Sequence, residues 1–149
     1  MIFFYIKEDH MKMIKTNLEI NWYLINAFDK RLGRLASIIA HIIIGKHKIN
    51  FSPNFLGGDK VIIINAKTIA LTGKKNKNKT YISYSGYPGG QKVKKASDLI
   101  KKKPEFIIRK AVLGMLPKNS LKKKMIKNLY IFNDNIQKFQ NISNIKYLN

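Results

Sequence analysis

The chain has 149 residues, enough for one domain with a real core, and 45% of them are hydrophobic, which argues against a disordered basic tail. Lys and Arg total 29 against 8 acidic residues, a net charge of +21, so self-repulsion is costly unless a polyanion is the usual partner. There is no cysteine, which excludes disulfides, thiolate metal sites and a cysteine nucleophile.

Nucleic acid is the first partner this charge implies, and an anionic membrane surface the second. The charge is concentrated: residues 71–127 hold 17 Lys/Arg and 2 acids. Only Arg31, Arg34 and Arg109 are arginines, while Ile (24) and Asn (15) are abundant beside Lys. Lys, Ile and Asn share A/T-rich codons. The composition therefore reads as drift in an A/T-rich genome, against which the three arginines stand out.

In chain order, residues 1–14 read as an N-terminal extension, with a strand from IFFYI as the alternative. Glu8 and Asp9 argue against a transit peptide, so no targeting segment is expected. Residues 15–133 read as a single domain and 134–149 as a C-terminal tail without a clear period. NWYLINA (21–27) suits a buried strand. Asp29 is placed to cap a helix over Arg31–Ile44, in which Leu32, Leu35, Ala36, Ile39 and Ile43 recur at helical spacing. Ile38 and Ile42 widen its apolar face, and Gly45 supplies a stop. The run Leu35–Ile44 is too short to span a bilayer. SPNFLGGD (52–59) is a loop, and KVIIINA (60–66) a second strand buried on both faces.

Thr68–Leu71 extends that unit before the lysine-rich turn Thr72–Thr80, and Tyr81–Tyr84 is a third strand candidate. A helix over Ala96–Lys103 stops at Pro104, and the next, from Glu105, carries Phe106, Ile107, Ala111, Val112 and Met115 towards a core. Asn119 or Ser120 caps a short helix with Leu121, Met125, Ile126 and Leu129 inward, and Tyr130–Phe132 is a last short strand. This order favours an α/β sandwich with a mostly parallel sheet.

An α/β sheet invites a nucleotide-dependent enzyme, but neither G-x-G-x-x-G nor G-x-x-x-x-G-K-[ST] occurs. His10, His41 and His47 have no metal-ligand spacing, and His41 reads as a packed or half-exposed neutral side chain. Asp29, Asp59, Asp98 and Glu105 form no evident acid–base pair, and Ser83, Ser85 and Ser97 have no nucleophile elbow. No cofactor, metal or small-molecule substrate is expected. What survives is binding. In SYSGYPGG (83–90) the glycines permit positive φ or close approach to a phosphate, Pro88 stiffens the turn, and lysines flank it on both sides. Tyr84 and Tyr87 read as packing at the edge of the core, with stacking on an unpaired base as the alternative.

WYLINA, LGRLAS, GKHK, FSPN, GGDKVIIINA, LTGKK, SGYPGG, KKPEFIIRKAVLGMLPKN and KKMIKNLYIF follow in one order at close spacing. From about Asn21 to Phe132 the chain resembles the large-subunit ribosomal protein family L-thirteen, of the bacterial type. The resemblance implies a three-layer α/β/α sandwich around a mainly parallel four-stranded sheet. It also implies binding to large-subunit ribosomal RNA beside neighbouring ribosomal proteins, early entry into subunit assembly, and no catalysis. Carried over by match, the RNA-facing residues are Arg34, Lys46, His47, Lys48, Lys74, Lys75, Ser85, Gly86, Gly89, Gly90, Lys92, Arg109, Lys118 and Asn119.

The chain also departs from the pattern. Asn54 and Leu56 stand where the family has a histidine and an acid, and Lys122 and Lys123 where it has Gly and Arg. The usual tail is unrecognisable after Phe132. The expected home is the cytoplasmic ribosome of a bacterium with an A/T-rich genome, an endosymbiont included, or alternatively an organelle ribosome. A non-ribosomal RNA-binding or translation-regulatory module is the competing function.

Overall fold

The computed structural model describes residues 20–134 and 145–148. The N-terminal extension and the IFFYI alternative lie outside the described residues. In chain order the elements are β1 (Trp22–Asn26), α1 (Leu32–Ile44), β2 (Lys60–Ile64), a 3-10 turn (Ala66–Thr68) and the short helix α2 (Lys75–Asn78). There follow β3 (Thr80–Tyr84), β4 (Gln91–Lys95), α3 (Ala96–Lys102), α4 (Pro104–Met115), the short helix α5 (Lys122–Met125), a 3-10 turn (Ile126–Asn128), β5 (Leu129–Ile131) and β6 (Ile145–Leu148).

The main sheet has four strands in the order β5-β2-β1-β6, and every pairing in it is parallel. This is the expected α/β architecture. Register follows from the apolar pattern: Tyr23, Val61 and Leu129 align across the sheet, as do Ile25, Ile63 and Ile131. Those side chains share one core with Leu35, Ile39 and Ile43 of α1 and Ile107, Ile108 and Val112 of α4. The opposite face of β2 buries Ile62 and Ile64, so this strand is covered on both sides, as its unbroken apolar run requires.

Local chemistry corrects several expectations. Asp29 does not cap α1; it sits at φ 50°, and Arg31 is the cap residue, with no side-chain bond. Backbone does the capping instead. The Leu32 N–H donates to the Ala70 carbonyl and the Ala70 N–H to the Lys30 carbonyl, each at 3.1 Å, an isolated parallel bridge. Pro104 opens α4 rather than merely ending α3, since a helix's first position needs no N–H. The inward stripe of α4 falls on Ile107, Ile108 and Val112, so Phe106 and Met115, expected in the core, are each 44% exposed. Ile38, expected to widen the packed face of α1, is also exposed. Gly45 does terminate α1, at φ 83°, donating to the carbonyls of His41 and Ile42.

Tyr81–Tyr84 belongs to β3, which lies outside the parallel sheet and, among the described residues, pairs with β4 as an antiparallel hairpin. The fourth sheet strand comes instead from the tail, where Ile145–Leu148 adds to the free edge of β1.

Candidate nucleic-acid interface

A cleft of about 410 Å³ opens at the start of α1, where Arg31, Arg34, Lys75 and Lys79 surround a floor that includes Leu71 and Met115. Among the described residues, no carboxylate lines it. The bridge between Arg31 and Ala70 holds the lysine-rich turn beside the helix. Arg34 follows Arg31 by one helical turn and so stands on the same side. Four cations without a counter-charge repel one another, and an anion in the cleft would relieve that. Of the expected site residues, Arg34 and Lys75 meet here, with Lys74 beside them at the start of α2. Arg31 and Lys79 join them, although the family resemblance did not place either among the RNA-facing residues.

The glycine loop forms the tip of the β3–β4 hairpin. Gly86 and Gly89 adopt φ 93° and 73°, the positive values expected of them. The Ser85 N–H donates to the Gly90 carbonyl at 3.3 Å and the Gly90 N–H to the Tyr87 carbonyl at 2.9 Å. The N–H groups of Gly86, Tyr87 and Gly89 stay outside this pair of closing bonds. A Cβ on Gly90 would stand 2.0 Å from Ser85 Oγ and 2.9 Å from the Tyr87 carbonyl oxygen. Ser85 can rotate away and the carbonyl cannot. Gly90→Val is therefore expected to cost about 1–3 kcal/mol, read as a lowered midpoint in denaturant titration.

Tyr84 and Tyr87 are not packed at the core edge; they are 65% and 75% exposed. The reason is the separate hairpin: among the described residues, no element lies over its tip. Its anchor is Tyr81, whose ring meets Phe106 edge-on at 5.9 Å, with Lys79 Nζ 5.4 Å from its centroid. Burial raises the Tyr81 phenol above its ordinary pKa, so the ring stays neutral.

At the other end of α1, about 15 Å from Arg34 at 1.5 Å per residue, the expected RNA-facing cations divide. Lys46 is exposed. His47 and Lys48 instead turn inward to Asp59, which is fully buried: His47 Nε2 lies 2.7 Å from its Oδ2 and Lys48 Nζ 2.5 Å from its Oδ1. Oδ1 also accepts the Asn21 N–H at 2.9 Å. Asp59 thus ties the start of β1, the loop after α1 and the start of β2 together. Burial first, and then the Asp59 carboxylate, raises the pKa of the nearby Tyr23 phenol, with Lys48 opposing. Sequence reading left Asp59 without a role; its signal was a lone acid between two glycines and a strand that is apolar from Val61 onward.

Arg109 is exposed on α4, and among the described residues no ion pair joins it to Glu105. Lys118 and Asn119 follow α4. Neither Asn119 nor Ser120 is the cap of α5, which is Leu121 without a side-chain bond, but Asn119 Oδ1 accepts the Lys122 N–H at 3.1 Å from just ahead of the helix. The 14 expected residues therefore occupy both ends of α1, the hairpin tip and the loops around α4, not one pocket. Such a spread suits an extended polyanion better than a small ligand. Among the described residues, no group of three His, Asp or Glu could hold a metal ion, and no helix is long and apolar enough to cross a membrane.

Comparison with known proteins agrees with the motif order. The family model described as ribosomal protein L13 matches residues 20–138. Large ribosomal subunit protein uL13 of Pelobacter propionicus is 51% identical over 116 residues, covering 78% of this chain and 82% of that protein. Its namesake in Mycoplasmopsis synoviae is 48% identical over 118 residues, covering 79% and 82%. That of Caldanaerobacter subterraneus is 50% identical over 117 residues, covering 78% and 82%. The match takes in the glycine hairpin, the basic cleft and every described element except β6, and the chain belongs to the ribosomal protein L13 family.

Proposed function

We propose that this chain is a structural constituent of the large ribosomal subunit that binds large-subunit ribosomal RNA through its basic, loop-rich side and acts early in subunit assembly. The family is structural and non-enzymatic. The observation that carries the RNA reading is the cleft of Arg31, Arg34, Lys75 and Lys79, four cations with no carboxylate among them. Phosphate oxygens satisfy such a site, and each contact releases condensed counterions. Beyond the cleft, the exposed Lys46, Lys74, Lys92, Arg109 and Lys118 add phosphate-contacting cations, and the hairpin tip adds Ser85, Gly86, Gly89 and Gly90. Neighbouring ribosomal proteins are the further partners. The bacterial sources of the relatives favour a bacterial ribosome in the cytoplasm.

The test is a salt titration of binding to large-subunit rRNA. Replacing Lys74 and Lys75 by Gln is expected to reduce the log–log salt slope by about 1.5 in total, from roughly 0.7–0.9 per lost phosphate contact. An unchanged slope would make these two lysines solvated surface. Wild-type protein that prefers large-subunit rRNA no more than an unrelated RNA of equal length would overturn the reading itself.

A further inference from the structure

The β3–β4 hairpin carries an exposed apolar stripe that the phosphate contacts leave unexplained. Ile82 and Val93 are direct cross-strand partners, 64% and 55% exposed. Tyr84, two residues beyond Ile82, lies on the same face, and Tyr87 stands at the tip. The stripe contributes nothing to the core. Water around exposed apolar and aromatic surface is costly, so a partner that covers it gains directly.

Charge decides which kind of partner. Between residues 79 and 95 there are four lysines, Lys79, Lys92, Lys94 and Lys95, and no acid. Protein–protein interface cores are depleted in lysine, whereas a nucleic acid meets lysine with phosphate. Among the described residues, neither Tyr84 nor Tyr87 stacks on another ring, and the aromatic contacts of the hairpin belong to Tyr81 at its base. By register Lys95 shares the face of the stripe, while Lys92 and Lys94 stand on the opposite face, so the hairpin that carries the exposed rings also carries cations able to hold a sugar–phosphate backbone. Double-stranded RNA hides its base faces; an unpaired nucleotide presents one.

We propose that Tyr84 and Tyr87 form a stacking platform for unpaired bases of an RNA loop or bulge, so that this hairpin recognises single-stranded RNA while the cleft at α1 holds phosphates. The proposal rests on the rRNA-binding reading and adds a contact that carries no charge. Stacking is sequence-tolerant, because every base has a π-face. It therefore confers a preference for unpaired over paired RNA, not for one base.

The test compares Tyr84→Leu and Tyr87→Leu with Tyr84→Phe and Tyr87→Phe, in the full chain, on large-subunit rRNA. Leucine keeps apolar bulk and loses the ring face; phenylalanine keeps the face and loses the hydroxyl. Each Leu variant is expected to lose about 5- to 100-fold in affinity, with the Phe variants near wild type. The log–log salt slope should stay unchanged, because no phosphate contact is removed. Chemical probing should show unpaired nucleotides protected by wild type and by the Phe variants, and reactive again with the Leu variants.

Leu variants that bind as tightly as wild type would overturn the platform while leaving rRNA binding intact. So would Phe variants that fail equally, since the hydroxyl would then be the contact. A fall in melting temperature for the Leu variants would assign the rings to packing and also count against it. Unchanged RNA affinity, with a neighbouring protein lost from isolated subunits, would assign the stripe to protein contact. If wild type itself shows no preference for large-subunit rRNA, the functional reading fails and the platform with it.

Discussion

Replacing Gly58 by alanine is expected to be the most damaging single substitution in the described domain, lowering stability by about 3–5 kcal/mol. A Cβ there would stand 1.7 Å from the Ile43 carbonyl oxygen and 2.5 Å from its carbon. Those atoms are backbone within the last turn of α1, so no side-chain rotation can relieve the clash. Nor can the loop back away. The Asp59 N–H donates to the Ile42 carbonyl at 3.3 Å and the Lys60 N–H to the Asn21 carbonyl at 3.0 Å, pinning the chain just past the glycine. For a domain whose net stability is typically about 5–15 kcal/mol, such a loss is a large fraction. Thermal melting followed by circular dichroism checks it, with an expected fall of roughly 10–20 °C. Gly114→Ala is the control. Nothing lies within 4 Å of a Cβ at that exposed helical position, so the change should be neutral or stabilise by up to about 1 kcal/mol. Equal melting temperatures for the two variants would refute the close-approach account.

Asp59→Ala is the second large effect, expected at about 3 kcal/mol. Truncation removes three hydrogen-bond acceptances at once and leaves the Asn21 N–H, in the chain entering β1, without its carboxylate. Breaking a buried ion pair by removing one partner costs about 3–5 kcal/mol when the other charge stays buried. Here the Lys48 and His47 side chains retain 19% and 28% of their exposure and can turn towards water, which holds the cost near the lower bound. Asp59→Asn keeps the shape and one acceptor oxygen, so it should lose less than Asp59→Ala. Urea denaturation of the three proteins gives the order directly. If Asn and Ala prove equally harmful, charge rather than shape and acceptor count dominates at this position.

Much of the fold was legible because burial writes itself into spacing. The stripe Leu32–Leu35–Ala36–Ile39–Ile43 marked α1, and unbroken apolar runs marked β1 and β2. Strand β4 was not legible: QKVKK is exposed at every position, so no alternation distinguishes it from a solvated lysine run. Strand β6 was hidden for a different reason. IKYL is four residues long and follows an Asn-rich stretch, and what makes it a strand is the open edge of β1, a tertiary fact.

The site divides in the same way. Glycines at positive φ can be read in advance, because few other residues tolerate the conformation. The inward turn of His47 and Lys48 could not, because the acid they meet lies 11–12 residues further on and is presented by a different element. The tyrosines were misjudged because exposure depends on what lies over a hairpin, which the hairpin's own residues do not encode.

The position of β6 has a consequence in time. Strand β1 finds its inner neighbour β2 within about 40 residues, but its outer neighbour only about 120 residues along the chain. At synthesis rates of about 5–20 residues per second, that interval lasts on the order of 6–25 s. Throughout it the outer backbone groups of Trp22–Ile25 form an open β-edge, able to template pairing with another nascent chain. Vectorial folding therefore leaves this protein dependent, for those seconds, on whatever shields that edge, and the short strand that closes it acts as the terminating step of sheet assembly.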